Sequence, residues 1–283
     1  MFLPERACYR CLLLRAIFEP DARCIGVVLS AGGLRGAAHL GVLRKIVRSG
    51  LPIDVMAGAS AGAILAAFYA AVGLSVDDMI DHAPTFRGRH ILMHGITLRS
   101  HRVLKPYLRR FCGIIPRRLD ELEAASFTNL HHGIKRLGIV CHDVDANEPR
   151  YFSTTGTSEV HLSDVARASA AVPGVLPAKT MTLKGRVVRL ADGGLSDSLP
   201  IDFIRSPEMG ATHVIVSDCR FSQSSIPPPD DSLIYIRPDL EGLRPLRGPR
   251  AALTMAVARG EAAVTPEVIE RIRGWRPVAA AIA

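Results

Sequence analysis

The chain has almost no lysine, no disulfide framework, no acidic metal-binding loop and no internal repeat, and each shortage removes a class of protein from consideration. Only Lys45, Lys105, Lys135, Lys179 and Lys184 are lysines, so the formal charge of +8 rests on arginine. Such a balance suits an anionic membrane surface, nucleic acid, or a plain arginine bias, and charge alone does not choose among them. The six cysteines (Cys8, Cys11, Cys24, Cys112, Cys141 and Cys219) are scattered, which argues for a reducing compartment over a network of disulfides. Cys8 and Cys11 form one C-x-x-C, but no second pair or histidine pair completes four ligands, and no zinc site is expected.

Long apolar spans are also scarce. The stretch Cys11 to Phe18 is broken by Arg15, followed by Glu19 and Asp21, and lacks a small-residue cleavage site. It is too short to cross a bilayer, so neither a signal peptide nor a transmembrane segment is expected there, and residues 1–22 read as an N-terminal extension. One stretch is long enough to compete: Val55 to Val76 carries no charged residue. It begins like a strand, has glycines at 58 and 62, and places small residues where a lipid-facing helix carries leucine. A buried central helix is the expectation.

What is present is an alternation of strands and helices. Cys24 to Ser30 is a β-branched run feeding a glycine turn and a helix from about Arg35 to Arg48. Ile53 to Met56 is a second strand, followed by a helix over Ala63 to Val72. The arginine-rich residues from Pro84 to Glu123 read as a helical excursion capping a sheet. Strands are expected at Leu137 to Cys141, Tyr151 to Thr154, Arg186 to Leu190, Thr212 to Ser217 and Leu233 to Ile236, with a helix at Leu162 to Ala171. Another helix starts near Leu199, and two short helices follow Pro249. Alternating units of this kind predict a largely parallel sheet with helices on both faces.

Three glycine-bearing motifs sit at strand ends. Gly58-Ala59-Ser60-Ala61-Gly62 matches G-x-S-x-G, in which small neighbours allow a turn sharp enough to project a serine hydroxyl. Ser30 to Gly36 contains adjacent glycines whose amides are free to face an anion. A dinucleotide turn would need glycine in place of Ala31 and an acidic residue ending the second strand, but Asp54 lies at the wrong end of it. An oxyanion hole fits better, with Gly32, Gly33 and Leu34 as amide donors, each worth roughly 3 kcal/mol of barrier. Arg35 either fixes that loop or adds positive field. Asp192-Gly193-Gly194 gives a carboxylate an open approach, although turns of this composition are common.

A serine nucleophile needs a base. The only histidine after Asp192 is His213, which enters a strand where a loop histidine would not lie, and His161 precedes the aspartate. The other histidines, among them His39, His82, His90, His94, His131, His132 and His142, read as surface or satisfied interior residues. A Ser-His-Asp triad is therefore poorly supported.

Together the three motifs resemble the patatin-like phospholipase family, in its bacterial and neuropathy-target-esterase-like branches. The likeness runs from about Cys24 to Cys219 and includes the block Arg167 to Pro177. Two departures are visible: Ala31 replaces the first glycine of the usual triplet, and Asp197-Ser198 stands where the family often has paired asparagines. The resemblance implies a three-layer α/β/α fold with a largely parallel central sheet, a flavodoxin-like core variant. Residues 23–220 would form the catalytic domain, and residues 221–283 a loop, strand and helices packed on or following it.

It also implies a Ser60–Asp192 dyad, an oxyanion loop over Gly32, Gly33, Leu34, Arg35 and Gly36, and a nucleophile elbow of Gly58, Ala59, Ala61 and Gly62. Gly193 and Gly194 would complete the aspartate turn. No cofactor or metal is expected. The implied substrates are phospholipid, lysophospholipid or another acyl ester, with no nucleic-acid partner. The implied location is cytoplasmic, with peripheral contact to an anionic membrane as one reading of the basic cluster Arg99, Arg102, Lys105, Arg109, Arg110, Arg117 and Arg118. The other reading is a solvated face of the cap. Two rivals stay open: a lipid- or partner-binding module with little activity on this fold, and a hydrolase of soluble small esters or thioesters.

Overall fold

The computed structural model describes residues 23–275 except 114, 157–159, 223–225, 229 and 248–250. The expected N-terminal extension and its C-x-x-C lie outside the described residues.

Within them eight strands form one sheet: β1 (Ile25–Leu29), β2 (Val55–Ala59), β3 (Arg136–Asp143), β4 (Glu148–Ser153), β5 (Lys179–Leu183), β6 (Arg186–Asp192), β7 (His213–Ser217) and β8 (Leu233–Ile236). The helices are α1 (Ala38–Arg48), α2 (Ala61–Ala67), α3 (Val76–His82), α4 (Gly88–Arg99), α5 (Lys105–Arg109), α6 (Ile115–Glu123), α7 (Leu162–Ser169), α8 (Ile201–Arg205), α9 (Ala252–Ala262) and α10 (Pro266–Arg273). The charge-free stretch from Val55 divides into β2, α2 and a further turn of helix, and no described helix is long and apolar enough to cross a membrane.

The sheet order is β5-β6-β3-β2-β1-β7-β8, with β4 on β3 as well. Strands β3, β2, β1, β7 and β8 are parallel, and β4, β5 and β6 run against their neighbours. The sheet is thus mixed, its parallel part shorter than the alternation of elements suggests. Short connections account for the reversal, since only an antiparallel neighbour is reachable through a tight turn. Strand β5 was not expected from sequence. Its hairpin with β6 turns on Lys184 and Gly185, both at positive φ (47° and 76°), the geometry of a two-residue primed turn.

Alternation along the strands separates two cores. Val27, Leu29, Met56, Ile139 and Ile215 pack with residues of α1, α2, α7 and α9. Val28, Val55, Ala57, Val140, Val214 and Val216 face the other way, onto Phe203 and Ile204 of α8 and onto Met209. These two faces make the three layers. Inner strands that bury both faces need apolar or small residues at each position, which is why β1 and β2 carry no charged or polar side chain.

One detail of pairing positions the site. Strand β4 lies along β3 from Gly138 to Asp143. On the opposite edge of β3, β2 pairs up to Ala59↔Val140, and β6 takes over at Cys141↔Asp192. Two strands therefore meet end to end along one edge, bringing the residues that finish them, Ser60 and Asp192, together at the carboxyl end of the parallel strands.

The chain beyond β8 folds back onto α1. A Cβ at Gly41 would stand 2.0 Å from the Val257 carbonyl oxygen, and one at Gly260 would stand 2.0 Å from that of Ala38. Arg44 and Glu261 close the contact with an ion pair. Gly41→Val should therefore lose on the order of 1–3 kcal/mol of stability through overpacking, measured by urea unfolding. An unchanged midpoint would show that α9 is not held in this way.

Candidate active site

Ser60 leaves β2 with φ 54° and ψ −120°, a strained conformation for a residue with a side chain. The flanking glycines make the turn sterically feasible. A Cβ at Gly62 would lie 2.2 Å from the Leu29 carbonyl oxygen, and one at Gly58 would lie 2.5 Å from the Gly62 carbonyl carbon. The elbow is held from beneath by Ser169 at the end of α7. Its hydroxyl accepts the Ser60 N–H at 3.0 Å and donates to the Val140 carbonyl at 2.6 Å. Ser169 lies in the Arg167–Pro177 block, yet nothing in its spacing marked it as a support. Its signal was a serine among alanines on a helix that must pack.

The Ser60 hydroxyl donates to Asp192 Oδ2 at 2.6 Å, and Oδ1 accepts the Gly194 N–H at 2.8 Å. The Asp192 backbone N–H donates to the Ala171 carbonyl at 3.1 Å, tying the aspartate turn to the segment after α7. Both side-chain positions are buried, each residue being 6% exposed. Burial pushes the Asp192 carboxyl up to about 6, against the opposing pull of the Ser60 and Gly194 hydrogen bonds.

The glycine loop approaches from β1. Gly36 packs on the elbow, where an added Cβ would sit 2.8 Å from the Ala61 Cβ. Of the three amides expected as oxyanion donors, Leu34 is already engaged: its N–H donates to the Pro245 carbonyl at 2.7 Å. Gly32 and Gly33 donate to no acceptor among the described residues. Gly33 takes a φ of +56°, and a Cβ there would meet the Pro245 carbonyl oxygen at 2.4 Å. The Ala61 amide opens α2 and is among the donors that a helix start leaves free.

Ala31, the departure in this loop, keeps its N–H engaged with the Ser198 carbonyl at 2.9 Å. Asp197 accepts from the Leu199 amide and the Tyr151 hydroxyl, so its carboxylate serves the turn before α8.

Arg35 does not face the serine. Its guanidinium is buried and donates to four carbonyls: Cys219 at 2.9 Å, Leu240 at 2.8 Å, Leu243 at 2.9 Å and Arg220 at 3.0 Å. It therefore fixes the loop and adds no donor to the cavity. These C-terminal carbonyls were invisible to motif reasoning, because backbone acceptors leave no residue signature.

No described histidine hydrogen-bonds Ser60 or Asp192. His213 begins β7 opposite Ile25, at the far end of the sheet, and packs against Trp275. His39 is fully buried, with Nδ1 2.7 Å from the Ser217 hydroxyl and Nε2 3.0 Å from the Ser30 carbonyl. Burial lowers its pKa to about 4, so it is a neutral brace under the glycine loop.

A cavity of about 1150 Å³ opens over Ser60. Its floor is apolar, with Ile64, Leu65, Phe68 and Leu119, and the cap contributes Leu98. Basic side chains Arg102, Lys105, Arg109 and Arg167 line it as well. His94 and Arg167 are lining residues too, and Arg167 pairs with Glu123 at 2.6 Å. No group of three or more metal-ligating side chains occurs among the described residues.

A mixed sheet between helical layers, with a strained serine against an aspartate under a glycine loop, defines the class. The profile of the patatin-like phospholipase family matches residues 27–204, more than half of the chain, and the protein belongs to that family. It is 30% identical over 205 residues to lysophospholipase NTE1 of Mycosarcoma maydis, covering 69% of this chain and 10% of that one. It is 29% identical over 204 residues to an uncharacterized NTE family protein of Mycobacterium tuberculosis, covering 70% of this chain and 30% of the relative. The chain thus spans about a tenth to a third of the length of these relatives. In fold it is similar to VipD from Legionella pneumophila, at 16% identity and a TM-score of 0.55, over 90% of this chain and 67% of that one.

Two expectations follow. A carboxyl whose folded pKa is raised contributes stability below its unfolded value of 3.8 and loses it as pH rises through 6. Asp192→Asn should therefore be more stable than the parent at pH 8 by roughly 1–3 kcal/mol, and show little difference at pH 4. Thermal unfolding at the two pH values measures this, and equal midpoints at pH 8 would refute a raised pKa. Arg35→Met should loosen the glycine loop while sparing β2 and β6. Any ester hydrolysis should then fall about 100-fold in kcat, with little change in KM.

Proposed function

We propose that the protein is a lipid acyl hydrolase of the phospholipase or lysophospholipase type, a serine esterase that uses Ser60 and Asp192 as a dyad. The observation that carries this reading is the 2.6 Å hydrogen bond from the Ser60 hydroxyl to a buried carboxylate, with no histidine at either group among the described residues. Asp192 Oδ2 takes the hydroxyl proton as Ser60 Oγ attacks the ester carbonyl. A carboxyl raised to about 6 is a better base for this than an ordinary aspartate. The oxyanion is received by the Gly32, Gly33 and Ala61 amides, and the alkoxide leaving group recovers the proton from Asp192. Water then enters and gives one proton to Asp192 as its oxygen attacks the acyl-serine carbonyl; Asp192 returns that proton to Ser60 Oγ as the C–Oγ bond breaks and the acid leaves.

The cavity suits a substrate with one long apolar part and one polar part. Its apolar floor matches an acyl chain, and the Arg102, Lys105 and Arg109 side chains that line it offer cations to a polar head. Phospholipid and lysophospholipid fit that description, and the relative from Mycosarcoma maydis is named a lysophospholipase. Peripheral contact with an anionic membrane belongs to the same proposal, because Arg102, Lys105 and Arg109 line the cavity and do not form a detached face. A binding module with little activity is disfavoured by the engaged dyad, and a hydrolase of small soluble esters by the size of the cavity.

Purified protein should release fatty acid from phospholipid vesicles and p-nitrophenol from p-nitrophenyl esters. Ser60→Ala and Asp192→Asn should each lower turnover by at least about 10⁴-fold. Retention of activity by either variant would sink the dyad. Activity on p-nitrophenyl butyrate without any on lipid would instead favour the small-ester reading.

A further inference from the structure

On most surface helices, charge faces water and apolar side chains face the protein. The cap departs from this, with apolar side chains exposed on its outer side. Lys105 and Arg109, one turn apart on α5, turn toward the cavity together with Arg102. Leu104, Tyr107 and Phe111 lie on the outer side, 55%, 56% and 44% exposed, and Val103 beside them is 77% exposed. On α4, Ile91, His94 and Leu98 line the cavity, while Leu92 and Ile96 point outward at 46% and 50% exposure. Seven of the fourteen large apolar side chains exposed among the described residues fall between residues 92 and 111, so the cluster is not the scatter expected of an ordinary surface.

The cap is firmly seated. A Cβ at Gly95 would stand 2.0 Å from the Val175 carbonyl oxygen, Arg99 donates to that oxygen at 2.7 Å, and Thr97 contacts Cys112 at 3.4 Å. The apolar side of α5 is thus held outward by packing on the other side.

Charge identifies the occupant. Arg110 stacks over Tyr107 and Phe111, 3.8 Å and 4.7 Å from the ring centres, which sets a cation on the rim of the apolar patch. None of the ion pairs among the described residues involves Arg102, Lys105 or Arg110, and Arg109 reaches Asp120 only at 4.0 Å. A protein partner with an apolar groove would leave these cations unmatched. A bilayer surface with anionic headgroups matches both sets, because aromatic and aliphatic side chains enter the acyl boundary while arginine and lysine stay at the phosphate level.

We propose that the outer face of α4 and α5 docks on an anionic lipid bilayer, with Leu104, Tyr107 and Phe111 inserted and Arg102, Lys105, Arg109 and Arg110 at the headgroups. The proposal extends the acyl-hydrolase reading and is tested separately from it.

The test uses the full chain carrying Ser60→Ala, so that no lipid is consumed, and vesicles of phosphatidylcholine with or without phosphatidylglycerol in about 0.1 M salt, a concentration at which the Debye length is ~10 Å. The protein should sediment with the anionic vesicles and much less with neutral ones. The triple variant Leu104→Ser, Tyr107→Ser, Phe111→Ser should lose roughly tenfold or more in binding while keeping its thermal midpoint. Arg102→Glu with Lys105→Glu should remove the preference for anionic vesicles.

Equal binding by the triple variant would overturn the proposal, as would no vesicle binding by the Ser60→Ala chain. A sedimentation-velocity dimer that the triple variant converts to monomer would assign the patch to a second copy instead. In the chain with Ser60 restored, the triple variant should hydrolyse p-nitrophenyl butyrate normally, because none of the three side chains lines the cavity. Absence of that hydrolysis in the parent would count against the hydrolase reading alone.

Discussion

Much of this structure can be traced to the hydrogen bond between Ser60 and Asp192. A serine at the end of one strand and an aspartate at the end of another, 132 residues later, meet because β2 and β6 share one edge of β3 and stop at adjacent rungs. The antiparallel entry of β6 is therefore what brings the two side chains together. A parallel strand in that place would direct its carboxyl end along β3 and away from Ser60. Burial then gives the carboxylate its character, since removing water raises its pKa while no charged partner is needed to hold it.

The glycine loop depends on chain that lies beyond the family profile. That profile ends at residue 204, yet Arg35 is clamped by the carbonyls of Cys219, Arg220, Leu240 and Leu243, and Leu34 by Pro245. An arginine with its guanidinium satisfied by four carbonyls is costly to lose, because the buried carbonyls of Cys219 and Leu243 would lose the donor it supplies and those of Leu240 and Arg220 would keep only the Leu243 N–H and the Arg237 guanidinium. The C-terminal part continues the sheet through β8 and packs α9 on α1, so the loop rests on the same body that holds the strands.

The parts of the fold legible in the sequence were those written in side-chain periodicity. β1, β7 and β8 announce themselves as β-branched runs, and α1 as an amphipathic helix. Strand β5 was missed because Lys179-Thr-Met-Thr-Leu183 is half exposed and short, and its hairpin turn uses Lys-Gly where stronger turn pairs are the usual signal. At the site, the elbow and the aspartate were legible because steric need fixes glycine around both. Arg35 showed that a motif residue and its role are separate matters: its identity was conspicuous, but its four partners are backbone atoms. The same limit hid Ser169 and the engagement of Leu34. The basic cluster of the cap was plain in the sequence, whereas its division into cavity-lining and outward sides needed the helices to be placed.

The account turns on Asp192 acting as the base for Ser60, and the most direct measurement is the pH dependence of Ser60 acylation by a fluorophosphonate, followed by single-turnover labelling. The rate should rise through a single ionisation near pH 6, stay level above it, and collapse in Asp192→Asn across the whole range. A rate that Asp192→Asn leaves unchanged, or a rise that disappears when a histidine is replaced, would contradict it.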